Sequence, residues 1–159
     1  MKTIDNFLDI EIANKIYANL VKKFRLSEYR SHCFYDSNKD DPSVCAFIKD
    51  LAPNMFPKNS SDFHVYGNSF LEKSRNIGPH FPSCFFKKHG QLMLCRQPFI
   101  GGEIIFPTQS WNVGDAQNNE GITVPLRHNK YIQSNTSEQR TMNFISVTKH
   151  PVVYLNILY

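Results

Sequence analysis

The sequence predicts an α+β fold that is mainly β: a double-stranded β-helix (a jelly roll) with N-terminal supporting helices. Three observations predict it. Apolar residues at helical spacing are confined to the first third of the chain, ending near residue 52. From Asp62 onward, apolar residues fall in short runs separated by turn residues, the pattern of a sandwich or barrel. The aromatic complement of 13 Phe, 7 Tyr and 1 Trp suits pleated, half-buried surfaces.

The first helix is expected near 10–26. Asp9 is positioned as its N-cap. Ile12, Ala13, Ile16, Tyr17, Leu20, Val21 and Phe24 then recur on one face. Lys22, Lys23 and Arg25 fall in its last turn, where cations complement the helix dipole. The second helix is expected near 41–52, with Asp41 as cap and Pro42 at the first helical position. Val44, Cys45, Ile48 and Leu51 form its buried face, and Pro53 stops it. A polar loop over 53–61 follows. Strands are expected at 63–70, 91–97, 103–106, 121–126, 130–133, 142–147 and 152–158. Residues 107–120, which include Trp111, read as a long polar loop. No repeat divides the 159 residues, so one domain over 1–159 is the expectation.

Composition excludes several classes. With 20% charged and 41% hydrophobic residues the chain is globular rather than disordered. A net charge of +4 is well short of a nucleic-acid-binding signature. No run of 18 apolar residues exists, so no membrane partner is expected, and Met1-Lys2-Thr3-Ile4-Asp5 does not read as an export signal. Cys33, Cys45, Cys84 and Cys95 contain no Cys-x-x-Cys pair; reduced thiols in the cytosol or nucleus are expected. No P-loop, nucleophile elbow, dinucleotide fingerprint or zinc-ligand pairing is present.

The most informative stretch is 77–107. It carries Gly78-Pro79-His80-Phe81-Pro82-Ser83, then Leu92-Met93-Leu94-Cys95-Arg96, then Gly101-Gly102-Glu103-Ile104-Ile105-Phe106-Pro107. The second piece reads as strand, tight turn, strand, with Leu92, Leu94 and Arg96 on one face and Met93 and Cys95 on the other. Gly101 and Gly102 supply the positive φ of the turn. Glu103 reads as a strand-edge residue. Together these pieces resemble the prolyl 4-hydroxylase branch of the iron(II)/2-oxoglutarate dioxygenases. In that family a Gly-Pro-His-x-Asp-Ser-like segment precedes a Gly-Gly-Glu-x-x-Phe-Pro segment. The Ile4-Asp5-Asn6-Phe7-Leu8 opening is similar too.

The resemblance implies an iron site of two His and a carboxylate, and a basic residue that holds 2-oxoglutarate. His80 matches the first ligand. The carboxylate position is Pro82, which has no donor atom. Anchoring the distal pattern on Val147-Thr148 places Met142 at the second His and Val152 at the basic position; a slip of one residue places Asn143 and Val153 there. Neither restores the site. His80 is then a vestigial ligand at an empty barrel mouth, an ordinary hydrogen-bonded histidine, or a ligand with unrecognised partners. The first two readings are preferred, because one neutral imidazole does not hold a divalent ion against water. His64, His89, Cys84 and Cys95 are the nearby donors that could rescue a site, but no pair has a metal-binding spacing. His150 reads as a turn residue. His128, in Arg127-His128-Asn129-Lys130, reads as a solvated turn, with an anion or nucleic-acid contact as the sharper and less favoured reading.

The expectation is therefore a pseudoenzyme with no cofactor and no catalytic residue, acting by binding another protein. Prolyl-hydroxylase-like domains of this degenerate kind are encoded by viruses, notably poxviruses. The resemblance to that group implies host protein partners: an oxygen-sensing prolyl hydroxylase or a defence factor. The abundance of Asn, Lys and Ile suits an AT-rich viral genome. Two alternatives stand beside this reading: an active oxygenase with an atypical metal site, and a nucleic-acid-binding or nucleic-acid-modifying module. For the protein-binding surface, the candidates are Trp111 in the long loop, and Phe81, Phe85 and Phe86 beside Lys87 and Lys88. Lys73 and Arg75 with Lys87 and Lys88 bracket the His80 segment; they read as solubilising charges, with a positive barrel mouth as the sharper and less favoured reading.

Overall fold

The structure is a computed structural model and describes residues 1–26, 32–59, 62–70, 77–109, 121–147 and 149–159. Its helices are α1 (Ile10–Lys23) and α2 (Pro42–Leu51), followed by a single 3-10 turn at Pro53–Met55. Its strands are β1 (Lys2–Ile4), β2 (Arg25–Leu26), β3 (His32–Asp36), β4 (His64–Phe70), β5 (Ile77–His80), β6 (Lys88–Leu94), β7 (Phe99–Gly101), β8 (Ile104–Pro107), β9 (Gly121–Val124), β10 (Lys130–Asn135), β11 (Arg140–Met142), β12 (Ile145–Val147) and β13 (Val152–Leu158). A seven-stranded antiparallel sheet runs β1-β10-β6-β13-β4-β3-β2, and a four-stranded sheet runs β5-β11-β8-β9. β7 and β12 form a separate pair. This is the mainly-β jelly roll that the sequence predicts.

Both helix caps form as expected. The Asp9 carboxylate accepts the Glu11 N–H at 2.8 Å, and the Asp41 carboxylate accepts the Ser43 N–H at 2.9 Å. Each satisfies an amide that the first helical turn leaves without a partner. α1 ends one turn earlier than its charge pattern suggests. Phe24 is its extended C-cap, so Arg25 opens β2 rather than closing the helix. The segment expected to be a polar loop after α2 holds the 3-10 turn and buries Met55 and Phe56.

The seven-stranded sheet is covered on both faces, and strand alternation sorts its side chains between two cores. On one face, Leu92, Leu94, Val153, Leu155 and Ile157 pack with Ile16, Leu20 and Ile48 of the helices. On the other, Met93, Cys95, Val152 and Tyr154 meet Ile104, Phe106 and Met142 of the four-stranded sheet. Arg96 continues the helix-facing side and lies 5.2 Å from the Tyr17 ring. The Tyr17 hydroxyl donates to the Pro151 carbonyl at 2.6 Å, tying α1 to the start of β13.

One expected connection is not made. The 91–97 and 103–106 strands do not form a hairpin. β6 pairs with β10 and β13, while β8 pairs with β11 and β9 in the opposite sheet. Gly101 and Gly102 do take positive φ, at 80° and 83°, but they carry the chain from β7 across to β8. The expected 142–147 strand is likewise two strands, β11 and β12, which lie in different sheets.

Candidate functional site

The inward side chains of the central strands change character along their length. On β13, Val152 and Tyr154 are followed by Asn156; on β6, Cys95 and Met93 are preceded by Gln91 and His89; on β4, Phe70 is preceded by Asn68 and Tyr66. One end of the barrel interior is therefore apolar. The other holds a polar cavity of about 280 Å³, with His80 and Pro82 in its lining.

Arg140 dominates this cavity. It opens β11 and pairs in register with His80 of β5. Its side chain lies inside the barrel, 3% exposed, with the guanidinium 5.0 Å from the Phe106 ring. One terminal nitrogen donates to His89 Nδ1; the other reaches Ser134 Oγ at 2.9 Å and the carbonyls of Asn135 and Glu138 at 3.3 and 3.4 Å. Among the described residues no carboxylate forms an ion pair with it. Burial pushes its pKa down to about 10, partly offset by Tyr66 and Glu138, so it remains cationic at neutral pH.

His89 is matched to that cation. Its Nε2 lies 2.8 Å from Asn156 Oδ1 and donates to it, leaving Nδ1 to accept from Arg140. This is the neutral tautomer. Burial first, and the Arg140 charge second, push the His89 pKa down to about 3. A folded-state value below the unfolded one means that the unfolded chain binds the extra proton between those two values. Stability conferred by neutral His89 is thus complete above pH ~6.5 and is lost as pH falls toward 3. In acid titrations followed by urea unfolding, His89→Gln should flatten this loss by about 1–3 kcal/mol relative to wild type.

The donor set does not fit the iron site that the sequence resemblance implies. Among the described residues no carboxylate lines the cavity, both His89 nitrogens are engaged, and the residue beside His80 across the sheet is a buried cation. Among the described residues no group of three His, Cys, Asp or Glu could converge on a metal. Arg140, not Met142 or Asn143, stands opposite His80, while Met142 pairs with Ile77. Val152 and Val153 are fully buried on opposite faces of β13, with no basic group at either.

Two further histidines, His64 and His128, have structural partners. His64 Nε2 lies 2.8 Å from Asp36 Oδ1. Burial raises the Asp36 carboxyl, but the Asn38 N–H and the His64 ring outweigh it and hold the pKa below the ordinary value. His128 is not the solvated turn residue expected. It is half-buried, its Nδ1 accepts the Cys95 N–H at 3.2 Å, and its ring meets Tyr17 edge-on. Burial and Arg96 lower its pKa. Cys45, Cys84 and Cys95 are free thiols, and burial pushes Cys95 up to about 12.

The aromatic candidates lie just outside the cavity. Phe81 is 53% and Phe85 90% exposed; Phe86 is half-buried, and Lys87 and Lys88 are exposed. The segment is braced rather than loose. Ser83 Oγ accepts the Phe85 N–H at 3.1 Å, the Thr136 hydroxyl donates to the Phe86 carbonyl, and Lys88 Nζ donates to Asn135 Oδ1 at 2.7 Å. Beside it runs a groove of about 520 Å³ whose walls include Phe34, His64, Tyr66, Pro82, Phe85 and Phe86. Trp111, most of the 107–120 loop, Lys73 and Arg75 lie outside the described residues.

The fold has counterparts among solved structures. The chain is similar to a 2OG-Fe(II) oxygenase-family oxidoreductase from Burkholderia pseudomallei, at a TM-score of 0.61 and 12% identity over 98% of this chain and 82% of that one. It is similar to a Pseudomonas putida prolyl-4-hydroxylase at 0.60 and 9%, over 99% and 90%. A Phytophthora capsici prolyl 4-hydroxylase matches at 0.58 and 13%, over 98% of this chain and 57% of that one. The fold is thus that of the 2-oxoglutarate oxygenases. No protein-family model and no curated protein matches the chain.

Proposed function

We propose that this chain is a non-catalytic prolyl-hydroxylase-like protein that works by binding another protein. Its partner on this reading is a host oxygen-sensing hydroxylase or defence factor, engaged on behalf of a virus. The observation that carries the reading is the chemistry of the barrel mouth. A buried guanidinium faces His80, and a proline stands where the family pattern places a carboxylate. A dication beside a fixed cation, without a carboxylate, is strongly disfavoured. On this reading the protein acts through surface contacts instead. The braced Phe81–Lys88 segment supports this, because a 90% exposed Phe85 beside a groove is an unusual use of a large ring.

The test is capture of partners from host-cell extract, read by mass spectrometry, with wild type and surface variants compared. Phe85→Ala and Trp111→Ala should each weaken capture by about 2 kcal/mol, roughly thirtyfold, with unchanged thermal stability. His80→Ala should leave capture intact. Equal capture by both aromatic variants would remove this surface, and loss of capture in stable His80→Ala would contradict the dead-site reading.

A further inference from the structure

We infer that the groove beside Phe85 reads an arginine side chain of the partner protein, with Asp36 as its counter-charge and the rings of Phe34, Tyr66 and Phe85 as its walls. The inference rests on the protein-binding reading of this surface and adds the chemistry of what is bound. It starts from a contrast of charge. The chain carries a net charge of +4, and Lys87 and Lys88 stand exposed just beyond the groove. Yet among the described residues no lysine or arginine lines the groove, and its one carboxylate is Asp36. Lys39 bears on Asp36 through its field and is not part of the lining.

Strand register sets that carboxylate among aromatic rings. Phe34 and Asp36 are alternate residues of β3 and share one face, as do His64, Tyr66 and Asn68 of β4. In the β3–β4 ladder Asp36 pairs with Tyr66, and Phe34 with Asn68. Residues directly opposite each other lie about 5 Å apart at Cβ, so the carboxylate and the Tyr66 ring are neighbours. The braced 82–86 segment supplies the other wall, with Pro82, Phe85 and Phe86.

The carboxylate keeps capacity for a further partner. The Asn38 N–H at 2.9 Å and His64 Nε2 at 2.8 Å both meet Oδ1, and Oδ2 takes part in neither bond. The side chain is 23% exposed. With its pKa held below the ordinary value, Asp36 is ionised at neutral pH. A cation complements both this charge and the negative faces of the rings. Of the protein cations, the guanidinium fits best. It is planar and weakly hydrated, and it stacks on a ring while its N–H groups meet a carboxylate. The fold itself sets guanidinium against ring twice, with Arg96 5.2 Å from Tyr17 and Arg140 5.0 Å from Phe106. The groove volume of about 520 Å³ lies within the roughly 300–1,000 Å³ of ligand pockets.

The experiment titrates the peptide Gly-Gly-Arg-Gly-Gly, acetylated and amidated, into the purified chain and follows NMR chemical shifts. Counterparts carry citrulline, which keeps the planar shape without the charge, or lysine, which keeps the charge without the plane. The arginine peptide should bind saturably with Kd ~1 mM or tighter, and both counterparts about tenfold more weakly. Asp36→Asn retains an oxygen for the Asn38 and His64 bonds and should bring the arginine peptide down to the citrulline affinity. Glu11→Gln, which removes an exposed acid on α1, should change nothing. No saturable binding of the arginine peptide to wild type would overturn the site. Citrulline or lysine bound as tightly as arginine would overturn the arginine assignment. Equal losses in Asp36→Asn and Glu11→Gln would overturn Asp36 as the counter-charge. The two readings fail separately. Partner capture that needs Phe85 but is unchanged in Asp36→Asn removes the arginine and leaves the protein-binding surface in place.

Discussion

Gly101→Ala should destabilise the protein by about 3 kcal/mol or more, the combined cost of left-handed backbone strain and a steric clash. Gly101 has φ +80°, a conformation that L side chains rarely adopt, and a Cβ built there would overlap the Phe144 carbonyl oxygen. That oxygen cannot move freely. It accepts the Gly102 N–H at 3.0 Å, and the next residue, Ile145, is fully buried and pairs with Gly101 in the β7–β12 ladder. Relief of the clash therefore has to break the strand pair or displace a core residue. Gly102, at φ +83°, accepts the buried Tyr154 hydroxyl on its carbonyl at 2.7 Å, so the strain would propagate into the central strand. Urea unfolding of the variant, compared with Gly→Ala at a less constrained position, checks this. A loss below ~1 kcal/mol would show that the crossover is less tightly fixed than described.

Leu155→Ala should cost about 3–4 kcal/mol, within the range for emptying a fully buried leucine site. Leu155 sits mid-way along β13, between Gly67 of β4 and Leu92 of β6, with no exposed surface. It belongs to the core that joins the sheet to both helices. The strand is held on both sides and the helices are capped, so collapse around the void is limited and the cavity contribution persists. Chemical denaturation gives the number directly. The neighbouring inward change Asn156→Ala acts differently, through loss of the His89 hydrogen bond rather than apolar area.

What was legible in the sequence follows from where the determining interactions lie. Asp9 and Asp41 act on amides two residues away, so both caps were readable. β13 was readable because seven consecutive buried residues follow a proline that ends the preceding turn. The two-faced pattern of 92–96 held for the same local reason. Strand partners were not readable. Gly101 and Gly102 announce a reversal, but the hydrogen bonds of β6 are satisfied by residues some 40 to 70 positions away. β1 and β7, at three residues each, are too short to leave a periodic signal.

The polar cavity was missed for a related reason. Anchoring on Val147-Thr148 drew attention to 142–152, yet the guanidinium in register with His80 belongs to Arg140. Between the Arg140–His80 and Met142–Ile77 pairs β5 holds one residue more than β11, and which strand takes up such an extra residue is not marked locally in the sequence. One signal was available. His89 and Gln91 on β6 and Asn156 on β13 occupy the same alternate positions as buried Met93 and Tyr154. Polar residues continuing an inward apolar face indicate either a lined cavity or a buried network, and here they form both.

The most direct measurement is calorimetric titration of 2-oxoglutarate with and without manganese as a redox-stable substitute for iron. The barrel mouth predicts no manganese-dependent heat, because Arg140 faces His80 and, among the described residues, no carboxylate lines the cavity. Any weak association should be the same in EDTA. Micromolar binding of 2-oxoglutarate that requires the metal and disappears in His80→Ala would contradict the account.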